Sequence, residues 1–183
     1  GLGGGILSLL AVFGERIFPV GGSTARGISI LYAARGIGTA VGPFVARRLA
    51  GDTRARMQRA IGLSFLVGGL FYVAFGLSTD FTLALVVLAA AHAGGSVLWM
   101  YSTVLLQQTV EDNVRGRVFA AEMTLVTLTL AASNYATGEA LDRFLYSPRA
   151  VTVAIGVFFC LPGLLWLLTR RWWDREENFA GRE

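Results

Sequence analysis

The sequence is poor in the residue types that build most catalytic and metal sites. Its 183 residues include one cysteine, one histidine and 12 acidic residues. A single cysteine excludes an intrachain disulfide and a metal site built from several cysteines, and one histidine without cysteine or carboxylate neighbours at ligand spacing disfavours zinc. No nucleophile, base and orienting group form a recognisable motif. We therefore expect neither an enzyme nor a bound cofactor.

Charge is also scarce. Charged residues make up 15% of the chain and the mean hydropathy is +0.58, whereas soluble domains carry about 25% charged residues. This deficit indicates a polytopic protein of the lipid bilayer. The sequence has no lysine, so all 16 basic residues are arginine. Because most of them lie between apolar runs, membrane topology explains the net charge of +4 without a nucleic-acid partner.

Six apolar segments follow one another along the chain. They cover residues 1–20, 27–46, 60–77, 81–107, 118–141 and 150–168, and about 20 residues suffice to cross a hydrocarbon core. We predict an all-α bundle of six transmembrane helices in residues 1–169, followed by a tail in residues 170–183. Since the sequence begins without Met and inside an apolar run, we expect a fragment whose first helix is truncated.

The arginines predict the orientation of this bundle. One side carries eleven of them, after the second, fourth and sixth segments: Arg47, Arg48, Arg54, Arg56, Arg59, Arg115, Arg117, Arg170, Arg171, Arg175 and Arg182. The other side carries Arg16, Arg26, Arg143 and Arg149. Because cytoplasmic loops are enriched in basic residues, we expect the tail and the basic loops to be cytoplasmic.

Two ionisable residues lie near the middle of apolar segments, Arg35 in the second and His92 in the fourth. A residue at such depth must face a cavity or a partner, and His92 begins a polar stripe along one helical face. The second and fifth segments have similar polar faces. The predicted substrate-cavity residues are Arg35, Tyr32, Thr39, His92, Ser96, Trp99, Tyr101, Thr127 and Asn134.

Other roles remain open for several of these residues. The alternative role of Arg35 is a structural salt bridge with Glu139 or Glu15. The alternative role of His92 is a hydrogen bond to a neighbouring carbonyl. The threonines of the fifth segment have bonds to their own backbone. His92 and Glu122 are candidates for proton coupling, and Glu122 has Arg115 or Arg117 as candidate ion-pair partners.

Small residues and arginines combine near the end of the second segment. Gly38 and Gly42 form a pair at i, i+4, which predicts close helix packing. Gly42, Arg47 and Arg48 then belong to a predicted cytoplasmic loop motif.

Two passages of the chain resemble a known family. Residues 38–51, GTAVGPFVARRLAG, are similar to the second-half copy of the cytoplasmic loop motif of the major facilitator superfamily, with Ala46 or Arg48 where that motif usually has Asp. Residues 114–122, VRGRVFAAE, resemble the Arg-Gly-Arg stretch before the eleventh helix of those permeases. The chain thus resembles the C-terminal half of an efflux-type transporter of this superfamily, in the branch that includes the enterobactin exporters.

The resemblance implies fold and function together. The chain would supply helices seven to twelve of a twelve-helix transporter in a bacterial plasma membrane, with the N-terminal six-helix half as its partner. Its first and fourth segments would line the cavity, its second and fifth would face the other half, and its third and sixth would be peripheral. Proton-coupled efflux of a small organic molecule is the implied activity.

Two other classes of protein remain as alternatives. One is a six-span scaffold or subunit that oligomerises through its polar faces without transport. The other is an intramembrane enzyme, which the missing catalytic motif disfavours.

Overall fold

The computed structural model describes residues 3–51 and 53–180, with the side chains described as far as Thr169. Residues 1, 2 and 181–183, on which parts of the predicted first helix and tail fall, lie outside the described residues, as do the tail side chains. The described part contains six α-helices and no β-strand: α1 Gly4–Arg16, α2 Thr24–Ala50, α3 Arg54–Leu77, α4 Phe81–Thr109, α5 Asp112–Asp142 and α6 Pro148–Ala180. The predicted all-α class is confirmed.

Four helices of the described part are long and apolar enough to cross a membrane. They are α2, α3, α4 and the portion Pro148–Thr169 of α6. The described α1 has 13 residues, fewer than a hydrocarbon core needs. The 31 residues of α5 are long enough, but charged side chains occupy its first third and threonines its middle. The membrane assignment therefore stands for four of the six predicted spans.

The helices extend beyond the predicted segments, and two predicted loops are mostly helical. Between the fourth and fifth predicted segments the chain is helical from Asp112 onward, and Arg47 and Arg48 lie in the last turn of α2 instead of in a loop. The connection between α2 and α3 is reduced to residues 51–53, where Gly51 adopts φ +74°. A helix longer than the hydrocarbon thickness continues into the interface, so these arginines need no loop to reach water.

The core of the bundle forms where α1, α3 and α4 meet. Phe13 and Phe75 stack with ring centroids 4.6 Å apart and are fully buried, together with Leu9 and Leu88. Burying a side chain of this size contributes about 1.5–3 kcal/mol relative to exposure to water. Around this centre, α3 packs against α4 and α6, α2 packs against α4, and α1 packs against α2 and α5.

The pattern of packed helices is nearly symmetric between the two halves of the chain. Exchanging α1, α2 and α3 for α4, α5 and α6 converts the pair α2–α4 into α5–α1, and the pair α3–α4 into α6–α1. The pair α3–α6 maps onto itself, and α2–α3 maps onto α5–α6. The pair α1–α2 is the exception, since α4 and α5 are not in comparable contact. The two halves of the chain thus share most of their packed helix pairs, although α2–α4 and α3–α4 pack far more extensively than α5–α1 and α6–α1.

The outward faces of α2 and α5 remain largely uncovered. Within α5, all of whose residues are described, Thr137 is the single buried residue. Large apolar side chains are exposed on both helices, among them Ile37 and Phe44 on α2 and Leu125 and Leu128 on α5. These faces are free to contact lipid or another protein surface.

Glycines of α2 allow it to approach α4 closely. A Cβ added to Gly38 would lie 2.9 Å from the Cα of Ala89, and one added to Gly42 would lie 2.9 Å from the Cα of Ala93. The backbones themselves are therefore in contact, which requires small residues at both positions.

Replacement of Gly38 by Val is expected to destabilise the bundle, because the added methyls have no space against α4. Overpacking of this kind costs about 1–3 kcal/mol. Gly36→Val is the matched control, since a Cβ at Gly36 meets nothing within 4 Å. Thermal unfolding in detergent, monitored by size-exclusion chromatography, should show a Tm below the wild-type value for Gly38→Val and an unchanged Tm for Gly36→Val. Equal Tm values for the two variants would contradict this packing.

Arg149 links the start of α6 to the end of α3 by hydrogen bonds. Its guanidinium donates to the carbonyl oxygen of Gly76 at 3.1 Å and to that of Ser78. It also lies over the rings of Phe13 and Phe18, 6.0 and 5.7 Å from their centroids. These carbonyls belong to a helix C-terminus, where the helix has no donors of its own.

Arg149→Met is expected to lower stability by about 1–3 kcal/mol, since it leaves these carbonyls without their donor. Arg143→Met is the control, because the Arg143 side chain is 75% exposed. The same Tm measurement compares them, and an Arg149→Met protein as stable as the Arg143→Met protein would refute the role of Arg149.

Candidate functional site

A cavity of about 340 Å³ lies in the middle of the bundle, and every helix contributes to its wall. Two of its polar groups are ionisable, the Arg35 guanidinium of α2 and the His92 imidazole of α4. Each lies eleven residues after the start of its helix, which places both about 16 Å along parallel helices. The remaining wall residues are Gly3, Leu7, Phe65, Tyr72, Gly95, Leu98, Trp99, Thr129, Phe159 and Pro162.

Arg35 carries a positive charge into this cavity. Its Nε is buried and has no hydrogen-bond partner, and no ion pair joins it to a carboxylate among the described residues. Glu139, one predicted partner, lies 3.6 Å from Arg143 instead. An arginine at the centre of a membrane helix costs about 2.5–3.5 kcal/mol or more. This cost makes a counter-charge in the cavity favourable.

His92 and Tyr72 form a second polar feature of the wall. The Tyr72 hydroxyl and His92 Nε2 are 3.5 Å apart, longer than a strong hydrogen bond. The two rings meet edge to face at 5.5 Å, and Tyr72 also packs edge to face on Phe159. The imidazole is thus held in place by aromatic packing while its edge remains in the cavity.

Tyr72 was missed by the sequence reasoning, which identified polar faces in the second, fourth and fifth segments only. The sequence carries a weak signal for it, because Tyr72 stands four residues from both Gly68 and Gly76. Both glycines pack closely, Gly68 on the Phe159 ring and Gly76 on the Arg149 carbonyl. Small residues on either side bring the tyrosine ring into the interior of the bundle.

Three of the nine predicted cavity residues line this cavity, namely Arg35, His92 and Trp99. Three others form hydrogen bonds with their hydroxyl groups outside the cavity. Tyr32 donates to the Leu7 carbonyl at 2.8 Å, which ties α2 to α1. Thr39 and Ser96 donate to carbonyls of their own helices, at 3.0 and 2.9 Å. None of these three residues belongs to the wall of this cavity, and their assignment to a substrate cavity stays a prediction.

The last three predicted cavity residues also lie away from the cavity. Tyr101 is 2% exposed and donates to the Gly51 carbonyl at 3.2 Å, so it fixes the turn between α2 and α3. Thr127 bonds back to the Met123 carbonyl on an exposed face of α5. Asn134 accepts a 2.5 Å hydrogen bond from Ser8 and joins α5 to α1. Thr129, two residues after Thr127, is the threonine of α5 that lines the cavity.

Glu122 lies outside this cavity, half-buried on α5. Its Oε2 has no hydrogen-bond partner within the described structure. Arg115, a predicted partner, forms an ion pair with Asp112 and donates to the Val110 carbonyl at 3.2 Å. The two proton-coupling candidates, His92 and Glu122, are therefore at separate places.

A groove of about 640 Å³ adjoins the cavity between α3, α4 and α6. It begins at Arg54 and Gln58 near the start of α3, and it shares Phe65, Leu98 and Pro162 with the wall of the cavity. We call it the lateral groove.

The sequence matches no protein-family model, and no curated protein or solved structure is significantly similar to it. The function is therefore inferred from the geometry of the cavity alone. A membrane-depth cavity with one guanidinium, one imidazole and aromatic walls is suited to binding a small organic molecule.

Reactivity of a cysteine placed at Gly95 is expected to report the charge of the cavity. A Cβ there meets nothing within 4 Å, so Gly95→Cys fits without distortion, in a Cys160→Ser background. Arg35 should make an anionic methanethiosulfonate react about five times faster than a cationic one, equivalent to about 1 kcal/mol of attraction.

Val86→Cys is the control, because Val86 is 62% exposed on α4 outside the cavity. If the methanethiosulfonates label Val86→Cys as fast as they label Gly95→Cys, the result would contradict a water-filled cavity beside Gly95. Adding Arg35→Gln should abolish the preference for the anionic reagent.

Proposed function

We propose that this chain is the C-terminal half of a secondary transporter of the major facilitator type, exporting a small organic molecule from a bacterial cell. The observation that carries the proposal is the central cavity, which Arg35 and His92 both line and to whose wall all six helices contribute. Transporters bind substrate near the midplane between repeated helical units. A structural bundle gains nothing from holding there a guanidinium that has no carboxylate partner among the described residues.

The symmetric packing of the helices supports the same function. Under this proposal α1 and α5 also cross the membrane, so each three-helix unit crosses it three times and the two units have opposite orientations. Inverted repeats of this kind underlie alternating access, in which one bundle rocks against another around a central site.

The uncovered faces of α2 and α5 favour a second six-helix bundle as partner. They contain the exposed apolar side chains described above, and the cavity opens on residues of both helices, Arg35 and Thr129. A second bundle against these faces would enclose the cavity between the two halves. The plasma membrane, the cytoplasmic tail and the absence of enzymatic activity belong to this proposal.

Proton coupling is the part of the proposal with two candidate residues. His92 would exchange a proton directly with the occupied cavity, whereas Glu122 would do so from α5, where its Oε2 has no partner among the described residues. Of the two, His92 is closer to the substrate position, since it lines the cavity with Arg35.

A six-span scaffold remains a second candidate, favoured by the same exposed face of α5. In that case a second copy of the chain would cover α2 and α5, and no substrate would cross the membrane. A stable homodimer without transport activity would identify it.

Transport is tested with the whole gene product in proteoliposomes under a pH gradient of either sign. A pool of small metabolites extracted from the host is supplied, and mass spectrometry identifies the compounds that accumulate. We expect at least one compound to accumulate with the wild-type protein, and a protonophore to abolish this.

Arg35→Ala should reduce this accumulation at least tenfold, equivalent to about 1.4 kcal/mol of lost binding. Val86→Ala, on the exposed side of α4, should leave it unchanged. Absence of accumulation under both gradients, with correctly folded protein, would refute the transporter proposal.

A further inference from the structure

The lateral groove and the central cavity adjoin each other. Phe65 of α3, Leu98 of α4 and Pro162 of α6 belong to both walls. From Arg54 at the start of the groove to Phe65, α3 rises about 16 Å, and from there to Tyr72 a further 10 Å or so. The combined space therefore extends over much of the thickness of a hydrocarbon core.

Positive charge stands at both ends of this space, and its middle is apolar. Arg54 and Gln58 line the groove entrance, Arg35 lies in the cavity, and the shared wall between them is formed by the Phe65, Leu98 and Pro162 side chains. No described carboxylate contributes to either wall. Such a distribution is complementary to a molecule with an apolar body and an anionic head.

Helix stability does not account for the arginine at the entrance. Arg54 is the first residue of α3 and Arg56 the third, and the helix dipole disfavours cations at an N-terminus. Cations at this place are favoured instead by anionic groups at a membrane surface. The Trp166 indole at the same entrance donates to the Gln58 carbonyl at 2.8 Å, which is typical of aromatic residues at the lipid interface.

We infer that the substrate is an amphipathic organic anion that enters sideways from the lipid leaflet at the arginine-rich end, through the lateral groove, and places its anionic group on Arg35. The inference rests on the proposed function, which leaves the substrate class open. The Arg35 Nε, buried without a partner, supplies the donor for the anionic group.

Equilibrium binding of a fluorescent fatty acid tests this inference without requiring transport. The whole gene product is placed in phosphatidylcholine nanodiscs, and 11-(dansylamino)undecanoic acid is titrated against it, with energy transfer from tryptophan as the signal. Its methyl ester has the same apolar body without the charge, and empty nanodiscs correct for partition into lipid. We expect at least tenfold tighter binding of the acid than of the ester.

Four variants locate the binding. Arg35→Gln should remove the preference for the acid, Arg35→Lys should retain part of it, and Arg143→Gln, at an exposed site away from both walls, should leave it unchanged. Leu98→Trp enlarges a side chain of the wall that the groove and the cavity share, and it should slow association of the acid severalfold. Size-exclusion chromatography checks that each variant is folded.

Equal affinity for acid and ester, or an Arg35→Gln protein that keeps the preference, would overturn the inference. This includes the case in which a carboxylate outside the described residues neutralises Arg35, because the acid would then gain no advantage. Transport of a neutral or cationic compound without acid preference refutes the substrate class and leaves the transporter. Selective acid binding without any transport refutes the transporter and leaves the binding site.

Discussion

The central constraint on this bundle is the burial of the Arg35 Nε at membrane depth, with no hydrogen-bond partner for it among the described residues. A charge in this position is tolerated only where a cavity or a ligand replaces lipid. The packing of α2 on α4 produces such a cavity, because Gly38 and Gly42 let the two backbones touch and bring Arg35 to the same wall as His92. Cavity and close packing are therefore consequences of one helix pair.

The sequence predicted the helical class and the polar pair at the centre, because a charged or ionisable residue inside an apolar run has few alternatives. It did not show where the hydroxyl-bearing residues form their hydrogen bonds. Thr39 and Ser96 satisfy their hydroxyls on their own helices, and helical periodicity cannot distinguish such bonding from a cavity wall. Tyr72 was missed for a related reason, since its position depends on how α3 packs between α4 and α6, and this tertiary information is absent from the periodicity of a single segment.

The arginine-rich end illustrates a second limit of sequence reasoning. Hydropathy placed Arg47, Arg48 and Arg54 in a loop, whereas all three are helical, since α2 ends at Ala50 and α3 begins at Arg54. Hydropathy reports where apolar surface ends, but a helix continues as long as its backbone hydrogen bonds are satisfied. The turn is closed by Gly51 at positive φ and by the Tyr101 hydroxyl on its carbonyl. Tyr101 thus contributes to the turn between two helices, although its sequence position suggested a ligand-binding residue.

The two symmetry-related helix pairs are held together by different interactions. In α2–α4, glycine backbones pack directly against the Ala89 and Ala93 backbone. In α1–α5, hydrogen bonds add to the contact, since Ser133 accepts from the Gly5 amide at 3.0 Å and Ser8 donates to Asn134. A backbone contact between small residues resists displacement because any shift opens a void, whereas side-chain hydrogen bonds can exchange partners. If the bundle rearranges during transport, we expect α5 to move. A single residue of α5 is buried, and the hydrogen bonds that join it to α1 can exchange partners.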